Sequence, residues 1–191
     1  MIGVRLAAKE ATEPTDAELL ATVASGQISA LGRLYDRHHA AVLRFAARTC
    51  RSSADAEDVT HATFITLTRI AHTYDGRANC RPWMLGVAAR HVAERRRSGA
   101  RFHRFLTRLF DGQEAAPDPE PAMAARESLG EVARALDTMS VEKRVVVVLF
   151  EVEGLSGEEI AASLGIPIGT VWTRLHAARK DLAARLPKET P

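Results

Sequence analysis

The sequence predicts an all-α protein in which two small helical domains are joined by a flexible linker. Apolar residues recur at helical spacing along most of the 191 residues, and start and stop signals divide them into helix-sized segments. A proline-rich stretch interrupts this pattern, because proline lacks the N–H donor and clashes with the preceding helical turn. We therefore assign residues 15–99 to the first domain, 100–123 to the linker and 124–187 to the second domain.

The composition excludes disordered and membrane-spanning classes. Hydrophobic residues make up 46% of the chain and charged residues 26%, which is enough apolar material for packed cores. No apolar run reaches the roughly 18 residues that a membrane-spanning helix needs. The segment Met1–Pro14 also lacks the continuous apolar stretch of a secretory signal. We expect a cytoplasmic protein without direct membrane insertion.

Four helices are predicted in the first domain. Thr15 and Glu18 have the spacing of a capping box, which opens the first helix, and Gly26 ends it. The other three helices begin at a capping residue or a first-turn proline. They are expected to start at Ser29, after Ser53 and at Pro82, and the last is expected to end near Ser98.

One segment of the second domain is ambiguous between strand and helix. The run Val145–Phe150 has the density of β-branched residues that a buried strand shows. Ser140 is a good N-cap, however, and Gly154 is a good helix stop. The length between them suits about three helical turns. We therefore predict a fully buried helix.

The C-terminal segment has the pattern of a helix-turn-helix. Ser156 and Glu159 form a second capping box, Gly165 suits the tight turn, and another helix begins near Thr170. In this motif the second helix enters the major groove, where an arginine fork can read guanine and other cations neutralise phosphates. Its side chains that face away from the buried stripe are Trp172, Thr173, Arg174, His176, Arg179 and Lys180.

The first domain carries an acidic cluster and a basic tract. Three acidic residues occupy the first turn of the third helix, where stabilisation by the helix dipole alone would explain them. A basic tract follows the loop Asp75–Cys80 and Trp83, and this combination suits single-stranded or melting DNA. The acidic residues are Asp55, Glu57 and Asp58, and the tract comprises Arg90, Arg95, Arg96, Arg97, Arg101, Arg104 and Arg108.

From Asp16 to Leu186 the sequence resembles the extracytoplasmic-function (ECF) group of bacterial sigma factors. Two sets of motifs in the same chain, in the right order and spacing, are much more specific than either set alone. Those that resemble the family's region 2 are Glu18–Leu20, Leu31–His38, Ala54–Val59, Tyr74–Arg77 and Arg81–Leu85. Those that resemble its region 4 are Leu136–Asp137 and Ser140–Leu186.

The resemblance implies a protein that binds core RNA polymerase, through the clamp helices and the β flap, and promoter DNA. It also implies control by an anti-sigma factor. Region 2 would melt the −10 element and region 4 would bind the −35 element. The implied polymerase-binding residues are Asp55, Glu57, Asp58 and His61. The implied −10 residues are Gly76, Arg77, Ala78, Asn79, Trp83, Arg90, Arg95 and Arg96, and the −35 residues are Thr170, Trp172, Thr173, Arg174, His176 and Arg179.

The sequence departs from the family pattern at five of its positions. A Gln-Glu pair and a tryptophan are common in the third helix of the family, an asparagine near the −10 pocket, and a lysine in the recognition helix. This chain has His61, Ala62, Thr68, Arg90 and Trp172 at those places. We expect these departures to change the strength of core binding and the promoter preference.

Two other classes of protein are compatible with parts of the sequence. A stand-alone helix-turn-helix regulator would bind DNA without polymerase, and its N-terminal helices would sense a ligand or dimerise. A metalloenzyme would need a ligand set drawn from histidines and acids of the first domain, but helical spacing puts His38 and His39 on different faces. The other residues of that set are His61, Asp55 and Asp58.

We therefore expect no catalytic residue, metal, cofactor or small-molecule substrate. Cys50 and Cys80 are the two cysteines of the chain, and we expect both to be small buried hydrophobes.

Overall fold

The computed structural model describes residues 13–77, 79–109 and 130–185, which form eight α-helices and, within those ranges, no strand. The all-α prediction is confirmed. None of these helices is both long enough and apolar enough to cross a membrane. The first bundle contains α1 (Asp16–Ala24), α2 (Ser29–Thr49), α3 (Ser53–Ile70) and α4 (Arg81–Leu109), and the second contains α5 (Gly130–Asp137), α6 (Val141–Val147), α7 (Gly157–Leu164) and α8 (Ile168–Ala183).

The first bundle begins as the sequence predicts but differs at two helix starts. The Thr15 backbone N–H donates to Glu18 Oε2 at 2.7 Å, and the Glu18 N–H donates to Thr15 Oγ1, so the capping box is confirmed. The prediction that Ser29 caps α2 is wrong, because Ile28 occupies the cap position and makes no side-chain cap bond. Backbone carbonyl oxygens of the preceding turn accept hydrogen bonds from the first N–H groups of α2 instead. Ser52, rather than Ser53, caps α3 by accepting from the Asp55 N–H at 3.0 Å.

Helix α4 is longer than predicted, since it continues past Ser98 to Leu109. The expected end near Ser98 relied on Gly99, but a glycine inside a helix costs only about 1 kcal/mol relative to alanine. That cost is too small to end a helix with good helix formers on both sides. The proline-rich part of the predicted linker lies outside the described residues and stays a prediction.

The ambiguous valine segment is helical. Ser140 caps α6 by accepting from the Lys143 N–H, and the helix continues into a wider, π-helical turn at Val148–Val152. Gly154 then follows with a positive φ of 69°. Five apolar residues of this segment are buried, namely Val145, Val146, Val147, Val148 and Leu149. The predicted helix is confirmed, but the segment is not fully buried, because Phe150 is partly exposed. The sequence also did not indicate the π-helical turn.

The two bundles pack directly against each other and share one hydrophobic core. Helix α4 approaches α7 so closely that a Cβ atom on Gly86 would lie 2.3 Å from the backbone oxygen of Ser163. Such a distance is far below ordinary van der Waals contact, so the approach requires glycine. Gly86 therefore sets the depth at which the bundles dock.

Two arginines add polar contacts across the interface. Arg81 of α4 forms an ion pair with Glu153, whose side chain is only 2% exposed. Arg144 is completely buried, and it donates to Asp137 Oδ1 at 3.0 Å and to the Thr49 carbonyl oxygen at 3.4 Å. Buried charges need such partners because desolvation is costly. Arg81 and Arg144 thus each link the two bundles.

We predict that Gly86→Ala opens the interface between the bundles. The added methyl group meets the backbone at Ser163, and overpacking of this kind costs about 1–3 kcal/mol. Small-angle X-ray scattering should show a larger radius of gyration, and urea unfolding should show lower stability.

Gly32→Ala is the matched control. A Cβ atom on Gly32, also inside a helix, would have nothing within 4 Å. This change should therefore increase the free energy of unfolding, by at most about 1 kcal/mol. Identical scattering from wild type and Gly86→Ala would contradict the prediction.

Candidate nucleic-acid interface

A loop of residues 74–80, called loop 74–80 below, leads into α4 and borders a cavity of about 190 Å³. Residue 78, a predicted −10 residue (Ala78), lies outside the described residues. The cavity walls come from both bundles. They consist of Tyr74, Asp75, Arg77, Asn79, Pro82 and Trp83 from the first bundle, and of Glu159, Ala162 and Ser163 from α7.

Hydrogen bonds within loop 74–80 hold its shape. The Tyr74 hydroxyl donates to the Arg77 carbonyl oxygen, and Arg77 forms an exposed ion pair of 2.6 Å with Asp75. Asn79 Oδ1 accepts from the Arg81 N–H at 3.0 Å and so caps the start of α4. Gly76 has a φ of 77°, which favours glycine. The described residues of the loop are therefore preorganised by contacts within the protein.

Two aromatic rings form one side of the cavity. The ring centroids of Tyr74 and Trp83 lie 5.2 Å apart at a tilted angle. Burial raises the pKa of the Tyr74 hydroxyl to about 12, and nearby Cys80 and Asp75 contribute, so this hydroxyl stays a hydrogen-bond donor at neutral pH. A flat aromatic surface beside polar groups can receive an unstacked base.

The predicted basic tract does not present a uniform positive face. Arg90 and Arg97 are exposed, whereas Arg95 binds Asp55 at 2.5 Å and Asp58 at 2.8 Å. Arg96 lies against the second bundle, where it donates to the Met139 carbonyl oxygen at 3.5 Å. The side chains of the tract beyond Ser98 lie outside the described residues.

The acidic cluster on α3 is therefore joined to the tract. Asp55 and Asp58 form the ion pairs with Arg95, so residues predicted to bind polymerase contact one predicted to bind DNA. Glu57 and His61 are exposed on the same helix. This pairing links the two predicted surfaces, although neither the sequence motifs nor their spacing indicated it.

The helix-turn-helix has the geometry that its sequence predicts. The Ser156 N–H donates to Glu159 Oε2 at 2.8 Å, which confirms the second capping box. Gly165 adopts the left-handed conformation with a φ of 66°. Helix α8 begins at Ile168, slightly before the predicted start near Thr170.

An aromatic ring supports the outer face of α8. Trp172 is 45% exposed and contacts the Phe150 ring edge-on at a centroid distance of 5.8 Å. The Arg179 guanidinium lies 5.3 Å from the centre of the same ring and pairs with Glu151 at 2.7 Å. A Cβ atom on Gly157 would collide with the Trp172 ring at 2.5 Å. Trp172 and Arg179 are thus held in place before any DNA binds.

The remaining predicted −35 residues differ in exposure. His176 and Thr173 are exposed, and the Thr173 hydroxyl donates to the Gly169 carbonyl oxygen at 2.8 Å. Thr170 and Arg174 are half-buried. The pKa of Glu142 lies below its usual range, mainly because its own backbone N–H donates to it, with smaller contributions from Ser140, Arg174 and Arg96. The Glu142 carboxylate therefore interacts electrostatically with Arg174, predicted to bind the −35 element, and with Arg96, predicted to bind the −10 element.

The histidines and acids that the sequence suggested as metal ligands do not lie together in the part of the chain that the structure describes. Among the residues that the structure describes, one group of three potential ligands lies close enough to share an ion, and it consists of Asp16, His38 and Cys80. His61 is not part of it. His38 was a candidate on the sequence, but its partners were missed, since Asp16 and Cys80 are far away along the chain.

Comparison with known proteins identifies both bundles. A family model described as Sigma-70 region 2 matches residues 34–102, and one described as Sigma-70, region 4 matches residues 129–182. The chain is 34% identical to the ECF RNA polymerase sigma factor SigE of Mycolicibacterium smegmatis, an alignment that covers 93% of this chain and 70% of SigE. It is 32% identical to the ECF RNA polymerase sigma factor SigM of Mycobacterium tuberculosis, over 91% of this chain and 86% of SigM.

A solved structure shares the fold. It is the structure of CnrH in complex with the cytosolic domain of CnrY, and it superposes with a TM-score of 0.63 at 27% identity. The superposition covers 88% of this chain and 95% of CnrH. CnrH of Cupriavidus metallidurans is itself described as an RNA polymerase sigma factor.

We predict that the Arg81–Glu153 ion pair couples the bundles energetically. In a double-mutant cycle with Arg81→Gln and Glu153→Gln, the coupling free energy should be about 1–3 kcal/mol, because Glu153 is buried. The exposed Arg77–Asp75 pair is the control, and its coupling should stay below about 1 kcal/mol. Equal coupling in the two cycles, measured by urea unfolding, would show that burial adds nothing at Arg81.

Proposed function

Because the chain belongs to the ECF group of RNA polymerase sigma factors, we propose that loop 74–80 holds a −10 base and that α8 binds the −35 groove. The observation that carries this assignment is the presence, in one chain, of an aromatic-lined loop and a separate helix-turn-helix. The loop suits an unstacked base, and the recognition helix suits duplex DNA. Promoter-specific initiation needs both.

We infer that the described arrangement is a closed state. The cavity at loop 74–80 has α7 as one wall, so the second bundle covers part of the proposed −10 surface. Arg81 and Arg96 are engaged by Glu153 and by the Met139 carbonyl oxygen. A DNA strand would have to displace these contacts. Binding to core polymerase therefore separates the bundles and exposes the proposed −10 surface, whereas the outer face of α8 is already exposed.

An anti-sigma factor is the proposed regulator. In its solved structure, the relative CnrH is bound to the cytosolic domain of CnrY. We propose that this chain has a comparable protein inhibitor, which prevents separation of the bundles. Such an inhibitor acts by differential affinity, because it must bind the closed state more tightly than the polymerase-bound state.

The family is not known for catalysis, and we propose that this chain acts as a subunit of polymerase and not as an enzyme. Its place of action is then the cytoplasm, where transcription occurs. No cofactor is needed for promoter recognition.

Run-off transcription tests the proposed function. Purified full-length chain is mixed with bacterial core polymerase and genomic fragments, including the promoter of its own gene. We expect discrete transcripts that require both proteins. A stand-alone regulator would instead shift DNA in a gel without polymerase. Failure to associate with core, or association without any transcript, would refute the proposal.

We predict that Asp55→Asn combined with Asp58→Asn weakens core binding by about tenfold or more, since two interface charges are lost. The substitutions preserve side-chain shape, so circular dichroism should be unchanged. Asp36→Asn, at an exposed position on α2, is the control and should retain wild-type affinity. Affinity can be measured by fluorescence anisotropy of labelled chain with core. Equal losses in the two variants would argue against a specific role for α3.

We predict different outcomes for two arginines of α8. Arg174→Ala should cost the holoenzyme about 1–3 kcal/mol at a cognate −35 duplex and relax base preference, because a base contact is lost. Arg179→Ala should weaken binding to all sequences and lower the salt slope by about 1, because a phosphate contact is lost. Competition binding at several salt concentrations distinguishes the two. A sequence-independent loss from Arg174→Ala would contradict its role.

A further inference from the structure

Asp16, His38 and Cys80 converge from three separate elements of the first bundle. Asp16 begins α1, His38 lies in the middle of α2, and Cys80 ends loop 74–80. The distance from Asp16 Oδ2 to His38 Nε2 is 2.7 Å, and that from Cys80 Sγ to Asp16 Oδ2 is 3.3 Å. Cys80 Sγ lies 3.6 Å from His38 Nε2. One atom of each side chain therefore points at a common centre.

The three side chains are shielded from solvent. Cys80 is fully buried, and the side chains of His38 and Asp16 are only 14% and 15% exposed. Met84 Sδ lies 3.3 Å from Cys80 Sγ on the inner side. A thioether, a thiol, an imidazole and a carboxylate thus meet within one small space. This set is chemically diverse, unlike the acidic clusters that are common on protein surfaces.

Asp16 is oriented by groups around the cluster. Arg37 donates to the other carboxylate oxygen, Oδ1, at 3.0 Å, and Glu13 in turn pairs with Arg37 at 3.2 Å. Ligands of metal ions are usually held by such outer contacts. The Arg37 charge is balanced by Glu13, so the Asp16 carboxylate and a Cys80 thiolate remain to offset a divalent cation.

The donor set and its spacing fit Zn²⁺. Zinc takes sulfur, nitrogen and carboxylate oxygen at bond lengths of about 2.0–2.3 Å, with tetrahedral geometry. Tetrahedral angles then place ligand atoms roughly 3.3–3.7 Å apart. The two distances to Cys80 Sγ, 3.3 and 3.6 Å, already meet this condition. Only the Asp16–His38 distance of 2.7 Å has to widen by a small movement.

We propose that Asp16, His38 and Cys80 form a Zn²⁺ site in which three protein ligands leave a fourth position for water. The ion replaces the Cys80 proton, which in its absence is donated to Asp16. It also ties α1 and α2 to the last residue of loop 74–80. That link makes the loop stiffer when zinc is bound. Any effect of this stiffening on promoter binding rests on the function proposed above, whereas the metal site itself does not rest on it.

Metal titration of the purified full-length chain tests the site. After treatment with a chelator, Co²⁺ serves as a spectroscopic probe and Zn²⁺ as the competing ion. We expect one equivalent of Co²⁺ to give a thiolate-to-cobalt charge-transfer band and Zn²⁺ to abolish it. When the free Zn²⁺ concentration is 100 times Kd, Zn²⁺ should raise the Tm of the protein by about 5–10 °C.

Two matched pairs of variants locate the ligands. Cys80→Ser should abolish the charge-transfer band, whereas Cys50→Ser, at the other buried cysteine, should keep it. His38→Gln removes a ligand, so it should weaken Zn²⁺ binding by more than the roughly 10–100-fold that is typical for loss of an outer contact. The His39 ring instead contacts Tyr35 at a centroid distance of 4.5 Å, so His39→Gln should leave Zn²⁺ binding unchanged. Circular dichroism checks that each variant is folded.

The wild-type titration decides the proposal even if a variant fails to fold. Absence of the charge-transfer band together with an unchanged Tm would overturn it, as would a band that survives Cys80→Ser. Run-off transcription with and without chelator separates this proposal from the function. Metal binding without transcription would refute the proposed function alone, and transcription by a chain that binds no metal would refute the site alone.

Discussion

The close approach of α4 to α7 at Gly86 is the constraint on which the arrangement of the two bundles depends. Because a side chain at this position would overlap the Ser163 backbone, only glycine allows the helices to meet at this depth. The docking then brings Arg81 to Glu153 and surrounds Arg144 with both bundles. It also makes α7 a wall of the cavity at loop 74–80. One backbone contact thus determines both the shared core and the covering of the proposed −10 surface.

Charges that suit DNA are already compensated inside the protein. Arg95 forms ion pairs with Asp55 and Asp58, and Arg179 forms one with Glu151. The negative charge of Glu142 lowers the electrostatic potential near Arg96 and Arg174. In the DNA complex proposed above, phosphates would exchange places with these carboxylates. Such exchange would lower the affinity of the free protein for nonspecific DNA, since each arginine gives up one partner to gain another. It is consistent with the small net charge of +2.

Local signals in the sequence predicted most helices and the helix-turn-helix. The capping boxes at Thr15 and Ser156 and the left-handed turn at Gly165 depend only on neighbouring residues, so their motifs were sufficient. The errors arose where energies are small or partners are distant. The start of α2 and the end of α4 depend on differences of about 1 kcal/mol, which patterns do not resolve.

In the candidate site, too, local features were predictable from the sequence and contacts between distant residues were not. Helical spacing placed Trp172 and Arg179 on the outer face of α8, but their support by Phe150 and Glu151 comes from another element. The Asp16–His38–Cys80 cluster joins two helices and a loop, and the contact at Gly86 joins two helices. A single sequence contains no signal for such distant pairs. Local structure was therefore predictable, whereas the partners of functional side chains were not.

The Phe150 ring has a consequence for how promoter preference can change over evolution. Since Trp172 and Arg179 lean on the same ring, a substitution that repositions one of them disturbs the other. In the proposed −35 complex, changes in base discrimination and changes in contact with the DNA phosphates would then arise together. Divergence of such a regulator toward new target genes should proceed through compensating pairs of substitutions around this aromatic support.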